Sequence, residues 1–239
     1  MVRTALGPVF DGAGKAMISV IIPVRNEERL LGKCLQSVLD QPEAAEIIVV
    51  DGASSDRSVE IARQFGVKVL TMEKPCLAGQ MNRGARAAAG DILLFLHADA
   101  TLNEGCLLRL GGLGKKVVGG SFTMQVEGDR LFYKILSLGG NIYCRLTRTY
   151  FGDRGIFVRR ETFQRLDGYR NMPVMTDVDF SRRMKRLGKT TILSGPILTS
   201  SRKFEDESPW LNLYLIFYAL FAFHMGVDPE KIQTKYYSK

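Results

Sequence analysis

Cysteine and histidine are scarce in this sequence. Its 239 residues include four cysteines, Cys34, Cys76, Cys106 and Cys144, and only two histidines. The cysteines lie far apart and form no Cys-x-x-Cys pair, so the pattern disfavours both a zinc finger and a disulfide framework. A reducing, cytoplasmic location fits this cysteine usage best.

The glycine-rich loops that bind dinucleotides and triphosphates are also missing. Residues 23–28 follow the first predicted strand and read P-V-R-N-E-E, with no Gly-x-Gly-x-x-Gly pattern and no Walker lysine. This excludes a Rossmann dehydrogenase and a P-loop enzyme. A nucleotidyltransferase would need a glycine-rich, basic phosphate loop at the same place, so we keep that function only as an alternative.

Neither end of the chain carries an unambiguous membrane signal. Residues 1–17 lack the continuous apolar core of a secretory signal, and we expect a disordered tail there. Residues 210–227 are uncharged, but 18 residues is at the lower edge of what a membrane span needs, about 20. For the predicted C-terminal apolar helix within 205–239, three interpretations stay open: it packs on the domain or at a dimer contact, it lies on a membrane surface, or it spans the membrane.

Composition and charge are those of a globular, basic protein. Apolar residues make up 46% of the chain and charged residues 24%, which excludes disorder over most of its length. Lysine and arginine outnumber aspartate and glutamate by 33 to 25. The surplus favours phosphates, acidic substrates or an anionic membrane as partners.

Strands and helices are expected to alternate through the first half of the chain. Apolar runs begin near Ile18, Glu46, Val67 and Asp91, with helical periodicity between them. Such units predict an α/β fold, a mostly parallel open sheet with helices on both faces. We expect one domain over 18–204, since no linker-like segment interrupts it.

The regular alternation ends after Thr101. The pattern then predicts a short helix, a strand, a polar helix, a second strand and a final helix, at 104–110, 116–126, 129–147, 156–159 and 177–187. Six basic residues in this half are read most simply as a solvated face, although a phosphate-bearing acceptor could use them: Arg159, Arg160, Arg182, Arg183, Lys185 and Arg186.

Polar residues follow the predicted strands at their carboxyl ends, where ligands bind in an open α/β sheet. Asp51 ends the second strand and suits hydrogen bonds to a base or to ribose hydroxyl groups. His97 and Asp99 follow the fourth strand and point to one face, because strand periodicity is two. Such a pair can hold a divalent ion, although a hydrogen-bonded strand end is the commoner explanation.

Four motifs agree in order and spacing with a known family. They read P-V-R-N-E-E, V-V-D-G-A-S-S-D, G-Q-M-N-R-G-A-R-A-A-A-G-D and F-L-H-A-D. Together they resemble the nucleotide-sugar-binding half of the family 2 glycosyltransferases of GT-A fold, and the likeness covers roughly 18–187. Segments 152–160, 172–183, 199–204 and 226–230 further resemble a subfamily labelled radical-SAM/selenodomain-associated transferases.

The resemblance implies roles for five residues in binding the donor. Pro23, Asn26 and Glu27 would surround the donor nucleoside. Asp51 would bind its base or ribose, and Arg83 would face the base or the phosphates. A donor of the UDP or GDP type is therefore expected.

The resemblance also implies a metal site and a general base. Asp99 corresponds to the second aspartate of the family's metal-binding Asp-x-Asp motif, with His97 in place of the first, and the expected cofactor is Mg²⁺ or Mn²⁺. Asp177 corresponds to the aspartate that acts as general base, with Thr176 where the family has glutamate. From the residues alone, Asp177 and Thr176 would be read as a helix cap.

These expectations describe an inverting glycosyltransferase of the hexosyltransferase type that moves a single sugar to a hydroxyl acceptor. Single transfer is favoured because Arg202-Lys203 resembles the Gln-x-x-Arg-Trp signature of processive synthases only loosely. A catalytically inactive nucleotide-sugar-binding protein or membrane scaffold is the other alternative, since His97 and Thr176 depart from the family pattern. An anionic surface at the inner face of the membrane and a second copy of the chain are candidate partners, and no nucleic acid partner is predicted.

Overall fold

Eight strands form one sheet at the centre of the protein. They are β1 (Ile18–Val24), β2 (Glu46–Asp51), β3 (Lys68–Thr71), β4 (Ile92–Phe95), β5 (Ala100–Leu102), β6 (Val117–Val126), β7 (Ile156–Arg159) and β8 (Lys189–Thr199). They lie in the order β3-β2-β1-β4-β7-β6-β8-β5. The computed structural model describes residues 16–202 and 209–237, so nearly all of the tail expected over 1–17 lies outside the described residues.

The sheet is mixed, which corrects the prediction of a mostly parallel one. β1 pairs in parallel with β2 and β4, and β2 with β3, as their helical connections require. β7 runs antiparallel to β4 and β6, and β5 runs antiparallel to β8, while β6 and β8 are parallel. The sequence did not reveal this because an apolar run marks a strand without giving its direction.

Helices cover the sheet, and the α/β class is confirmed. They are α1 (Leu31–Leu39), α2 (Ser58–Gln64), α3 (Leu77–Ala87), α4 (Cys106–Gly111), α5 (Leu131–Thr147), α6 (Arg160–Arg165), α7 (Thr176–Leu187), α8 (Pro209–His224) and α9 (Pro229–Tyr237). A 3₁₀ helix at Gly152–Arg154 precedes β7. The strands and helices predicted for the first half of the chain match these within a few residues.

The core lies in two layers, one on each face of the sheet. In β1, Val20, Ile22 and Val24 belong to the layer that also contains α1, while Ile21 belongs to the layer that contains α3 and α7. The strand is therefore buried on both sides, which explains its unbroken apolar sequence. α1 fits the same logic, since its buried residues recur at helical spacing.

The polar helix predicted over 129–147 is wrong in character. α5 buries Tyr133, Ser137 and Cys144 on one side, and it exposes large apolar side chains on the other. The segment contains apolar residues at helical spacing on two sides of the helix. The sequence pattern therefore did not show that one of these apolar sides would be exposed.

The solvated basic face predicted between positions 159 and 186 is also wrong for several arginines. Arg159 and Arg160 donate hydrogen bonds to backbone carbonyl groups of neighbouring loops. Arg183 donates to the carbonyl groups of residues 166 and 168 and pairs with Asp179 at 2.7 Å. Asp179 is thus buried in ion pairs with Arg170 and Arg183.

Where a single C-terminal apolar helix was expected, the described residues form α8 and α9. Ala219 and Ala222 of α8 pack with Ile232 of α9, and Val174 and Met175 lie against this cluster. Within 16–202 and 209–237, we find no helix with the length and apolar character needed to cross a membrane.

Candidate active site

The carboxyl ends of β1, β2 and β4 form one edge of the sheet. Val24 at the end of β1 pairs with Asp51 at the end of β2, and Ile21 pairs with Phe95 at the end of β4. Because these strands are parallel, the loops that follow them begin side by side. This is the place where open α/β sheets bind their ligands.

The loops after β1 and β2 are locked together by Asn26. Its backbone N–H donates to Ser54 Oγ at 2.9 Å, and its side-chain Oδ1 accepts from the backbone N–H of Ser55 at 2.8 Å. Asn26 has a φ of 55°, a left-handed conformation that asparagine tolerates better than most residues. Asn26 therefore fixes the shape of this edge of the sheet.

Asp51 and Gln80 also stabilise the loops after β1 and β2 through hydrogen bonds. Both carboxylate oxygens of Asp51 lie 3.2 Å from the backbone N–H of Ser54, and the side chain is only 4% exposed. Gln80 on α3 donates to the carbonyl groups of Val24 at 2.9 Å and Val50 at 2.8 Å. A Cβ at Gly52 would lie 2.8 Å from the Gln80 side chain, so glycine is needed there for this close approach.

A cavity of about 570 Å³ opens at this edge, and we call it the strand-end cavity. Pro23, Glu27, His97 and Asp99 line it, as the sequence predicted for a donor and metal site. Its remaining polar lining includes residues that sequence reasoning did not select: Arg25, Cys76, Gln80, Asn171 and Gln233. Arg25 and Gln80 stand inside the quoted motifs, whereas Asn171 and Gln233 are distant in sequence and reach the site only through the fold.

Glu27, which lines this cavity, is held by an ion pair. Arg202 Nη2 lies 2.9 Å and 3.1 Å from the two carboxylate oxygens of Glu27. Arg202 thus brings a positive charge beside the strand-end cavity. Lys203, its predicted partner in a basic pair, lies outside the described residues.

A second cavity, of about 300 Å³, contains Asp177, and we call it the Asp177 cavity. Most of its lining is apolar, with Met81, Phe95, Tyr169 and Val174 among the contributing residues. Asp177 is the second residue of α7, so the predicted helix start is confirmed. The N-cap of α7 is Met175, without a side-chain hydrogen bond, so the interpretation of Asp177 and Thr176 as a helix cap is wrong.

The Asp177 carboxylate links α7 to the 3₁₀ helix before β7. Oδ2 accepts a hydrogen bond from the Gly152 N–H at 2.8 Å, and Oδ1 accepts from the Val178 N–H at 2.8 Å. Burial raises the pKa of this carboxyl, these two N–H groups oppose the rise, and the nearby charge of Asp153 adds to it. Asp177 is therefore a fixed carboxylate with more affinity for a proton than an exposed aspartate has.

His97 stands between the two cavities and lines both of them. A Cβ at Gly152 would lie 2.5 Å from His97 Nε2, so only glycine lets the backbone and the imidazole approach this closely. Leu77, Met172 and Pro173 also line both cavities. The two spaces are thus neighbours that share a wall, with His97 as its polar member.

The residues at Asp99 fit a metal ion that is carried by a diphosphate. Among the residues that the structure describes, none donates a hydrogen bond to the Asp99 carboxylate, and no group of three His, Cys, Asp or Glu side chains is arranged to hold a metal ion. Mg²⁺ needs only one or two protein carboxylates when phosphate oxygens complete its shell. The donor set therefore suits a shared ion and not a site made of protein ligands alone.

A buried arginine beside the Asp177 cavity escaped the sequence analysis. Arg154 is 2% exposed and donates to Asn141 Oδ1 at 2.5 Å. Within the described part of the chain, Arg154 Nε and Asp153 Oδ1 are buried without a hydrogen-bond partner and lie 4.0 Å apart. An arginine in a basic chain gives no sequence signal of burial, so only the fold identifies it.

Three residues predicted to bind the donor line neither cavity. Asn26 and Asp51 hold the loops that shape the strand-end cavity, and Arg83 is exposed on α3. Their predicted contacts with a nucleotide stay predictions.

The sequence of residues 19–165 matches the family model described as Glycosyl transferase family 2. The chain belongs to this family. The match covers β1 to α6 and thus includes the whole parallel edge of the sheet and His97 and Asp99. The family predicted from the four motifs is confirmed.

Curated relatives share part of this chain. It is 41% identical over 101 residues to a 4,4'-diaponeurosporenoate glycosyltransferase of Staphylococcus haemolyticus, covering 39% of this chain and 27% of that protein. It is 24% identical over 187 residues to a dolichyl N-acetyl-alpha-D-glucosaminyl phosphate 3-beta-D-2,3-diacetamido-2,3-dideoxy-beta-D-glucuronosyltransferase of Methanococcus voltae, covering 68% of this chain and 57% of that protein. The chain thus spans less than two thirds of the length of either relative.

Solved structures show the same fold. TarS of S. aureus in complex with UDP-GlcNAc matches with a TM-score of 0.64 and 18% identity, over 77% of this chain and 58% of that one. The mannosyltransferase PcManGT of Pyrobaculum calidifontis, in complex with GDP-Man and Mn²⁺, matches with a TM-score of 0.63 and 18% identity, over 91% of this chain and 65% of that one. The predicted GT-A architecture is confirmed at the level of the fold.

Proposed function

We propose that this protein transfers one sugar from a nucleoside-diphosphate sugar to a hydroxyl acceptor, with inversion at the anomeric carbon. One observation carries the proposal: the strand-end cavity adjoins the Asp177 cavity, and His97 lines both. A donor and an acceptor can therefore lie on the two sides of a shared wall, with the half-buried Asp177 carboxylate on the acceptor side.

The donor would occupy the strand-end cavity. Pro23 and Glu27 would contact the nucleoside, and Asn26 and Asp51 would support the loops around it. Arg83 would approach the base or the phosphates along α3. A UDP or GDP donor is supported by the neighbouring structures, which were solved with UDP-GlcNAc and with GDP-Man.

Asp99, assisted by His97, would hold Mg²⁺ or Mn²⁺ together with the donor diphosphate. The ion would supply positive charge that stabilises the leaving diphosphate. The Mn²⁺ in the PcManGT complex supports this assignment. Arg202, which pairs with the lining residue Glu27, would add positive charge near the diphosphate.

Asp177 would be the general base. Its carboxylate accepts the proton of the acceptor hydroxyl while that oxygen attacks the anomeric carbon, and the bond to the diphosphate breaks with its electron pair on the phosphate oxygen. Attack from the Asp177 side and departure on the strand-end side invert the anomeric carbon. The raised pKa of Asp177 suits this task, because a more basic carboxylate accepts the proton more readily.

The remaining expectations belong to the same proposal. Transfer of a single sugar, the radical-SAM/selenodomain-associated subfamily, a cytoplasmic location and a homodimer stay predictions from the sequence. The acceptor is a hydroxyl compound with an apolar part, because the Asp177 cavity is lined mainly by apolar side chains.

A calorimetric panel of UDP- and GDP-sugars, each with and without Mn²⁺, tests the proposal. We expect binding of one donor, dependence on the ion, and slow donor hydrolysis. Binding without hydrolysis or transfer would favour the inactive binding protein. The absence of nucleotide binding under all conditions would overturn the proposal.

In this panel, Asp99→Asn distinguishes donor affinity that depends on the metal ion from donor affinity that the cavity provides without it. We expect it to remove the effect of Mn²⁺ on donor affinity, whereas Asp153→Asn, which changes a carboxylate outside the strand-end cavity, keeps that effect. Equal dependence on Mn²⁺ in the Asp99→Asn variant and the unchanged protein would refute the metal assignment.

A further inference from the structure

α5 exposes a continuous row of large apolar side chains. Leu131 is 71% exposed, Ile135 61%, Leu138 63%, Ile142 48% and Leu146 80%. Their spacing of four, three, four and four residues places them on one line along the helix. We call this row the α5 stripe.

The α5 stripe has no part in packing the domain. Tyr133, Ser137 and Cys144 are the buried residues of α5, and at about 100° per residue they lie on the opposite side of the helix. The side chains of Ser137 and Asn141 attach this buried side to β6: Ser137 Oγ accepts from the Val126 N–H, and the Asn141 amide bonds both the N–H and the carbonyl group of Met124. Exposed apolar rows of this size mark an interaction surface.

The charges beside the α5 stripe are basic. Lys134 and Arg145 are the charged residues within α5, and Arg130 and Arg148 flank its two ends. All four side chains are exposed. α5 contains no acidic residue, and Asp129, just before Arg130, is the acidic residue next to it in the sequence.

We propose that the α5 stripe docks the protein on an anionic lipid surface, with α5 lying in the plane of the interface. An apolar row flanked by lysine and arginine is the pattern of a helix that lies at a membrane surface. The net charge of +8 adds attraction to anionic headgroups. The 17 residues of α5 extend about 25 Å, so a flat surface can cover the whole row.

A second copy of the chain fits the α5 stripe less well than lipid does. A symmetric pairing through this stripe would bring Lys134 and Arg145 of both copies to one interface without acidic partners from α5. Like charges oppose that pairing, whereas anionic lipid neutralises them.

Docking through α5 would bring the Asp177 cavity close to the lipid surface. The chain passes from Leu146 to Gly152 within six residues, and Gly152 binds the Asp177 carboxylate. Tyr143 of α5 also stacks on Phe151 at 6.0 Å. This docking does not depend on the proposed glycosyl transfer, since it concerns the opposite side of α5 from the core.

Sedimentation with phosphatidylglycerol/phosphatidylcholine vesicles tests the proposal on the full chain. We expect binding to vesicles with anionic lipid, and at least tenfold weaker partitioning of the triple variant Ile135→Gln, Leu138→Gln, Ile142→Gln. The variant should keep its thermal unfolding and nucleotide affinity, because these side chains are exposed. The double variant Lys134→Gln, Arg145→Gln should weaken binding several-fold and lessen its dependence on salt.

Phe217→Gln with Phe221→Gln is the matched control, because both side chains are exposed on α8, which has no lysine or arginine. We expect this control to bind vesicles like the unchanged protein. Equal binding of the α5 variant and the unchanged protein would overturn the proposal, and so would loss of binding in the α8 control alone. A shift from dimer to monomer in the α5 variant, measured by analytical ultracentrifugation without lipid, would assign the stripe to a second copy instead.

Discussion

Asp177 shows how a single side chain is prepared for chemistry by its surroundings. Two backbone N–H groups fix its carboxylate oxygens, and the side chain is half-buried in a cavity lined mainly by apolar residues. The hydrogen bonds favour the ionised form, while burial and Asp153 favour the protonated form. The result is a carboxylate that is well oriented and more basic than usual.

Replacing Asp177 by asparagine tests its role as the base. We expect Asp177→Asn to bind the donor normally and to lose transfer by about two orders of magnitude or more, the usual scale for losing general-base help. Steady-state kinetics and calorimetry on the same preparation measure the two effects. Asp153→Asn is the matched control, because Asp153 lies in the neighbouring 3₁₀ helix and its charge acts on Asp177, and a larger loss of transfer in that variant would move the base to Asp153.

The pH dependence of the transfer rate should reflect the raised pKa of Asp177. An ordinary aspartate titrates at about 3.9, so activity that needs ionised Asp177 should fall on the acid side at a higher pH than that. The folded protein also holds this proton more tightly than the unfolded chain, so its contribution to stability is present below the unfolded pKa and is lost as pH rises through the folded pKa. Rate profiles from about pH 3 to 9 measure the first effect, and an acid limb at the position of an ordinary aspartate would contradict it.

At the scale of secondary-structure elements, α3 links β1 and β2 at the strand-end cavity. Gln80 on this helix donates hydrogen bonds to carbonyl groups at the ends of both β1 and β2. One side chain therefore fixes the relative positions of α3, β1 and β2 at the strand-end cavity. The 3₁₀ helix plays the same part on the other side, because Gly152 contacts His97 and Asp177.

We expect Gln80→Leu to destabilise the protein by about 1–3 kcal/mol, because the Val50 carbonyl loses the Gln80 donor and the Val24 carbonyl keeps only its bond from the Gly52 N–H. Urea unfolding measures the change. Gln125→Leu is the matched control, since Gln125 is exposed on β6, and it should change stability by less than about 0.5 kcal/mol. Similar stability of the two variants would show that the Gln80 bonds add little.

At the scale of the whole molecule, the four cysteines differ in burial and therefore in expected reactivity. Cys34, Cys106 and Cys144 are buried, while Cys76 is partly exposed and lines the strand-end cavity. Burial raises the pKa of Cys144 to about 11 and that of Cys34 still further, which leaves almost no reactive thiolate at either residue at neutral pH.

The Cys76 thiol should therefore be alkylated fast in the folded protein, and a nucleotide bound in the strand-end cavity should protect it. Alkylation followed by mass spectrometry measures both effects, with Cys76→Ala as the control that removes the fast reaction. Rapid labelling of Cys34 before global unfolding would contradict the two-layer core. Unchanged labelling of Cys76 in saturating nucleotide would place the donor elsewhere.

The sequence by itself determined the α/β class, the first-half elements and the family, because unbroken apolar strands, helical spacing and motifs at strand ends are local signals. It also selected Glu27, His97, Asp99 and Asp177, which line the two cavities. Strand direction in the second half, the burial of Arg154 and Asp179, the reach of Asn171 and Gln233 into the strand-end cavity and the outward side of the α5 stripe were decided only by the tertiary structure. The physical reason is that each of these depends on which distant segment packs against a residue, and neither residue type nor periodicity contains that information.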